Sequence, residues 1–447
     1  MILNQHSRYK YLGVEGLEII PSDWNYDRMK NIGIVNGRVG WKALKASEYV
    51  DKGYFFLATP NIKDREIDYL NVNYITYERY KESPEIMLRN NDILLTKDGS
   101  TLGTINIVKN LNTPGTVNSS IAVLRFKKQF NSRYFFYLIS SNFIQSIIQV
   151  KKDGMGVPHL FQKDINNFLL LIPPDKEQDL ISNFLDQKTA AIDKKIFLLQ
   201  TKISYYKELS KSLINEAVCR GLNKNVPLKE SGIEWIGHIP KHWQIKRLKD
   251  VASLEFSNVD KLTKEGQKEV LLCNYTDVYK NNFITRNIDF MLSTASGVEI
   301  KRFSLRKGDI LITKDSETHD DIAIPSLVTD NLCNVICGYH LAMIRTKGKL
   351  TSSYLFYLYK SSLYNHIFAR QAKGITRVGL SINSFGDALV FIPPVEEQTA
   401  IADYLDNKIK TIEAILKNIT AQIEGLNELR KTLINDIVTG KLRVSEQ

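Results

Sequence analysis

IPPDKEQDLISNFLDQKTAAIDKKIFLLQTKISYYKELSKSLINEAVCRG, residues 172–221, is the stretch from which the rest of the chain is read. From Pro173 to about Gly221 it opens with two prolines and then carries none for about twelve turns. Proline suits a helix start and breaks a helix interior. Early acidic residues suit the positive end of the helix dipole. The chain repeats itself from Pro393 to Gly440: IPPVEEQTAIADYLDNKIKTIEAILKNITAQIEGLNELRKTLINDIVTG, residues 392–440. Apolar residues fall at heptad spacing, in the same phase, in both copies. Leu185, Ile192, Ile196, Leu199 and Ile203 mark the seam of the first, and Leu405, Ile412, Ile419 and Leu426 that of the second. A seam this long and narrow predicts a coiled coil. About 45 residues at ~1.5 Å each make a rod of roughly 65 Å, which is a spacer or docking edge and not a catalytic centre. Phe197, Leu198, Leu209, Ile415 and Leu429 fall outside the seam and predict a further partner surface.

The helices are not the only repeat. YLGVEGLEIIPSDWNYDRMKNI (11–32) matches ESGIEWIGHIPKHWQIKRLKDV (230–251), pairing Gly13 with Gly232, Glu15 with Glu234, Trp24 with Trp243 and Arg28 with Arg247. NDILLTKDG (91–99) matches GDILITKDS (308–316), and SRYFFYLISS (132–141) matches SSYLFYLYKS (352–361). Four collinear matches make the chain a tandem duplication and not a solenoid. Each half reads as an α+β globular domain followed by one long helix, with boundaries at 1–173, 174–222, 223–393 and 394–447. Strands are expected at Tyr54–Ala58, Ile93–Thr96, Ile105–Val108 and Ile121–Phe126, and one short helix at Ser132–Gln149 and again at Ser352–Arg370. The copies diverge from Val39 to Arg89 against Asn258 to Phe303, and in the loops GSTLGTI against SETHDDI and KKDGMGVPHLFQ against QAKGITRVGLSI. A shared scaffold with different loops suits two readers of different sequences.

The 447 residues carry a net charge of +11, which favours a polyanionic partner, nucleic acid first. Four cysteines give no disulfide framework, and a reducing cytoplasm fits. No signal peptide or membrane span is expected. Cys333, Cys337 and His340 invite a metal site, but LCNVICGYHLAMI reads as buried strands with small buried thiols. No phosphate loop or dinucleotide fingerprint occurs. HIPKH (238–242) is no helix-borne zinc motif, because Pro240 interrupts it. Pro174-Asp175 with Asp186 and Lys188 mimics a nuclease spacing, but Asp186 and Lys188 sit in a heptad helix and Val395 replaces Asp175 in the second copy. Trp24 and Trp243 match between copies, so they are expected to anchor cores and not to read bases.

The residue types that hold phosphates or read base edges cluster instead in basic and polar loops, at and after the TKD turns and on the Gly-broken loops further on. Candidates are Lys97, Asp98, Ser100 and Thr101 with Lys151, Lys152, His159 and Gln162 in the first half. In the second they are Lys314, Asp315, Glu317 and His319 with Lys373, Thr376 and Arg377.

The paired domain openings, the DILxTKD turns, the IPPxxEQ caps and the duplicated helices resemble the specificity subunits of type I restriction-modification systems over essentially the whole chain. The resemblance implies two target-recognition domains, each reading half of a bipartite double-stranded DNA site. It implies helices paired as an antiparallel coiled coil with pseudo-two-fold symmetry, holding the domains apart and docking two modification subunits. It also implies a non-catalytic subunit with no cofactor of its own. S-adenosylmethionine then belongs to the modification subunits, and ATP and Mg²⁺ to the restriction subunits. The rival reading is a coiled-coil scaffold that organises protein partners and binds nucleic acid without sequence preference.

Overall fold

A computed structural model describes the chain except residues 15, 39–43, 153–157, 234, 235 and 447 and the side chains of 151 and 152. The matched pair Glu15 and Glu234 thus lies outside the described residues. The fold is α+β and duplicated. One compact unit combines Met1–Leu199 with Ala421–Gln447, and the other is Gln200–Thr420. The long helices span Asp175–Arg220 and Val395–Val438, so each begins in one unit and ends in the other.

In the first unit, the strands Gly33–Asn36, Ile121–Phe126, Ile93–Thr96 and Ile105–Ile107 form an antiparallel sheet in that order. The run Ile93–Thr96 is buried throughout because both faces of this sheet are covered. Ile93, Leu95, Ala122 and Leu124 face the larger core, while Leu94, Ile121 and Val123 face a smaller one. This is the two-residue period of a strand serving two cores at once. The second unit does the same: Ile310, Ile312, Ala342 and Ile344 enter its larger core, and Leu311, Leu341 and Met343 its smaller one.

The smaller cores join these shared strands to the segments whose sequences do not match, yet their sheets share one topology. In the first unit Tyr54–Leu57 pairs parallel with Gly115–Val117 and antiparallel with Asn73–Ile75. In the second Lys268–Cys273 pairs parallel with Val335–Cys337 and antiparallel with Met291–Ala295.

Two expectations need correction. Each single domain helix is in fact two. Ser132–Ser140 is followed by Asn142–Lys152, and Ser352–Lys360 by Ser362–Gln371. Ser141 and Ser361 take extended conformations at the breaks. The Ser361 hydroxyl accepts from the Tyr364 amide, as a helix N-cap should. The thiols of Cys219, Cys273 and Cys337 are buried, but Cys333 is exposed.

The matched motifs act as clasps. Trp24 and Trp243 are buried core anchors, and each indole N–H donates to the Glu of the following IPPxxEQ cap, Glu177 at 3.1 Å and Glu397 at 3.2 Å. The adjacent Gln binds the chain on either side. Gln178 donates to the Pro173 carbonyl at 2.9 Å and accepts from the Asn131 amide at 3.0 Å. Gln398 donates to the Pro393 carbonyl at 2.8 Å and accepts from the Thr351 amide at 2.8 Å. About two turns further on, Tyr137 donates to Asp186 at 2.8 Å, and Tyr357 to Asp406 at 2.5 Å.

The far ends of the helices close the opposite units. In the first unit Ile434, Ile437 and Val438 share the core that holds Ile181 and Leu185, and Tyr134 donates to the Val438 carbonyl at 3.3 Å. In the second Ile214, Ala217 and Val218 share the core that holds Ile401 and Leu405, and Tyr354 donates to the Val218 carbonyl at 3.3 Å. Within each unit the start of one long helix thus meets the end of the other, which is an antiparallel arrangement. Among the seam residues Leu405, Ile412 and Ile419 are buried, as is Leu185, while Ile192, Leu199, Ile203 and Leu426 are half-buried. Of the flanking apolar residues, Phe197, Leu198, Leu209 and Leu429 are exposed and Ile415 is half-buried.

Candidate nucleic-acid interface

The Lys-Asp turns sit at the ends of the doubly buried strands, and one framework holds both. In the first unit the Lys97 amide donates to the Ser120 carbonyl at 2.8 Å, and the Leu160 amide donates to the Lys97 carbonyl at 2.8 Å. In the second the Lys314 amide donates to the His340 carbonyl at 3.1 Å, and the Leu380 amide to the Lys314 carbonyl at 2.8 Å. Buried Leu160 and Leu380 anchor the incoming loops. Each unit therefore assembles three segments at one edge: the Lys-Asp turn, the turn before the next strand, and the loop after the second domain helix.

Both aspartates find a histidine, from different segments. The His159 imidazole Nδ1 contacts the Asp98 carboxylate, and His159 comes from the late loop. His340 Nδ1 lies 2.8 Å from Asp315 Oδ2, and His340 comes from the turn before the strand Leu341–Thr346. Where the second unit has Tyr339-His340, the first has Ser119-Ser120. Arg377 also donates to Asp315, at 2.6 Å. Asp98 and Asp315 thus brace the loops, with their acceptor oxygens engaged inside the protein.

The other candidates divide by exposure. Ser100 and Thr101 are exposed, as are Glu317, His319, Lys373, Thr376 and Arg377. Lys97 is half-buried, with its ammonium 3.9 Å from Asp98. Lys314 is half-buried too, with its ammonium 4.4 Å from the Tyr339 ring centre and 5.3 Å from that of Phe256. Burial there holds the lysine pKa below its ordinary value. The Gln162 amide donates to the Val35 carbonyl, tying the late loop to the sheet. Lys151 and Lys152 end the helix Asn142–Lys152, and their side chains lie outside the described residues.

Three residues at this edge escape a search for polar base readers. Tyr339 is exposed and stands edge-on to His340, with ring centres 4.8 Å apart. Phe161 is exposed beside His159 at 4.3 Å, with Lys163 over its ring. Ile375 is exposed at the tip of the second unit's late loop. Aromatic and aliphatic residues read as core in a sequence, so only their position in a divergent loop marks them.

Asp186 is occupied by Tyr137 and by Arg133 at 2.9 Å, which anchors helix to domain instead of forming a nuclease site. Among the described residues no group of three or more His, Cys, Asp or Glu is placed to hold a metal. Among the same residues no helix is long and apolar enough to cross a membrane.

Comparison with known proteins places this architecture. The family model described as Type I restriction modification DNA specificity domain matches residues 21–198 and 240–425. The type I restriction enzyme MjaVIII specificity subunit of Methanocaldococcus jannaschii is 22% identical over 447 residues, covering 99% of this chain and 98% of that protein. The EcoBI specificity subunit of Escherichia coli is 23% identical, covering 96% and 88%. A solved structure concerned with assembly and conformational transition of the type I R-M system aligns at TM-score 0.70 and 15% identity, covering 94% of this chain and 98% of its own. The HsdS subunit from Thermoanaerobacter tengcongensis aligns at TM-score 0.50 and 17% identity, covering 93% and 97%.

Proposed function

The chain belongs to the type I restriction-modification DNA specificity family, and on that premise we propose that each unit reads one half of a split double-stranded DNA site through the edge built around its Lys-Asp turn. The protein is the sequence-recognition subunit of a type I complex and acts with DNA and the other subunits of that complex. Its part is targeting, and the chemistry belongs to the partners.

One observation carries the assignment of the edge. Two matched frameworks, each pinned by an aspartate–histidine contact, present loops whose exposed residues differ. Scaffold residues match because folding needs them, and loop residues diverge because two half-sites need different readers. Exposed Lys373 and Arg377 suit phosphate or guanine contacts, and Ser100, Thr101 and Thr376 suit either. Two short readers on one chain bind a split site far better than either alone, because the second contact is intramolecular.

The exposed apolar residues Phe197, Leu198, Leu209 and Leu429 on the long helices suit docking of two modification subunits. Those subunits carry S-adenosylmethionine, restriction subunits use ATP and Mg²⁺, and the complex works in the cytoplasm. Selection from random double-stranded pools by the assembled complex tests the central reading. Enrichment of one split motif, with affinity falling steeply as salt rises, is the expected result. Uniform binding to all sequences refutes it and favours a scaffold with non-specific affinity.

A further inference from the structure

Ile375 shows its whole side chain to solvent, at 103% of the reference area. Its loop is closed at the base. Lys373 and Gly379 exchange both amide hydrogen bonds, at 3.0 and 2.9 Å, as a single antiparallel bridge. Val378–Gly379 pairs in turn with Asp315–Ser316 of the Lys-Asp turn. Ala372, Val378 and Leu380 are buried and root the loop in the larger core. Gly374 has φ +141, and a Cβ there would lie 2.0 Å from the Arg377 carbonyl oxygen, so the tip is shaped for this one residue. Arg377 is locked to Asp315 at 2.6 Å.

The tip is therefore a short loop closed by a single β-bridge, and it presents an isoleucine between exposed Lys373, Thr376 and Arg377. An isoleucine held wholly in water gains from any surface that covers it, and a basic surround selects a polyanion as that surface. A narrow loop tip fits the major groove of duplex DNA, where the thymine 5-methyl is the one apolar group on the base edges. We infer that Ile375 is a specificity-determining residue that packs on a thymine 5-methyl in the half-site read by the second unit. Lys373 flanks it towards the phosphates, and Arg377 towards the base edges. The inference rests on the DNA-reading function proposed above and names one contact within it.

The test uses the assembled complex and duplexes carrying its recognised site. Thymines of the second half-site are replaced by uracil, one at a time, and binding is measured by competition. The wild type should lose about fourfold at one position, the worth of a single buried methyl group. Ile375→Ala should bind the unmodified site more weakly and be indifferent to uracil at that same position. Substitutions in the first half-site should affect wild type and variant alike, which also shows that the variant is folded. The inference fails if no uracil in the second half-site weakens the wild type, as an intercalating wedge would give. It fails as well if Ile375→Ala keeps the full uracil penalty, or if that half-site has no thymine on either strand. Failure of the wild-type complex to prefer its split site over a scrambled duplex is a different result, and it removes the DNA-reading function itself.

Discussion

Replacing Asp309 by Ala should destabilise the second unit by several kcal/mol, and the reason lies in the DILxTKD motif. Asp309 is almost wholly buried at the start of the strand Ile310–Thr313. Its two oxygens take Arg345 in a fork, Nε to Oδ1 at 2.7 Å and Nη2 to Oδ2 at 2.9 Å. The Arg306 amide donates to Oδ2 at 2.8 Å. The first unit repeats the pair with Asp92 and Arg125, both contacts at 2.7 Å. Removing one partner of a fully buried pair costs about 3–5 kcal/mol, because a charge is left unpaired. The Arg345 side chain keeps 25% of its surface exposed, so screening trims that cost to about 2–3 kcal/mol. The orphaned Arg306 amide adds about 1 kcal/mol. A loss of about 3–4 kcal/mol in a unit of this size lowers its melting temperature by roughly 6–14 °C. Calorimetry on Asp309→Ala, Arg345→Met and the double variant reads this directly. The double variant should regain at least ~1 kcal/mol over the sum of the singles, since no lone guanidinium remains. A loss under ~1 kcal/mol, or strict additivity, would show that the pair is not the brace described.

Three more outcomes follow from the geometry. Burial beside Trp24 lowers the His6 pKa, so the unfolded chain takes up that proton first on acidification. The stability it protects is complete above the ordinary histidine range and falls as pH drops through it. Buried Glu177 has a raised pKa and works in the opposite sense, gaining stability on protonation. The difference between wild type and His6→Gln in thermal unfolding across pH 7.5 to 5.5 therefore isolates the histidine, and a parallel pair of curves contradicts it. Gly440 has φ +75, and a Cβ there would lie 2.3 Å from the Pro21 ring. Gly440→Ala should cost about 2 kcal/mol or more, whereas Gly425→Ala, exposed inside the helix Val395–Val438 that Gly440 follows, should gain up to ~1 kcal/mol in urea unfolding. Exchanging residues 1–172 for those of another such subunit should change one half-site of the recognised sequence and leave the other, which methylation mapping would show.

The sequence made the duplication, the α+β class, the two long helices and the buried Trp anchors legible, because each rests on local pattern repeated in order. What it hid depends on residues distant in the chain. Nothing in IPPxxEQ tells that its Glu will bind an indole 153 residues earlier, or that its Gln will cap a domain helix. The common topology of the smaller sheets was hidden because those segments share shape and burial without sharing residues. At the edge around the Lys-Asp turns the basic loops were legible from composition, but the braces were not. His159 and His340 reach equivalent aspartates from different segments, so aligning the copies cannot pair them. Asp98 and Asp315 read in the sequence as candidate DNA contacts, and the structure pairs each with a histidine of its own unit. Tyr339 and Ile375 carried the signature of core residues, and only their exposure separates them from it.

The central claim is that this chain directs a modification complex to one split DNA sequence, with each half set by one unit. Methylome sequencing of the host with the gene present and deleted tests that most directly. The account predicts a single bipartite motif that is methylated only when the gene is present, and whose second half alone changes in strains carrying Arg377→Ala. A methylome unchanged by deletion, or a change spread over both halves by Arg377→Ala, would contradict it.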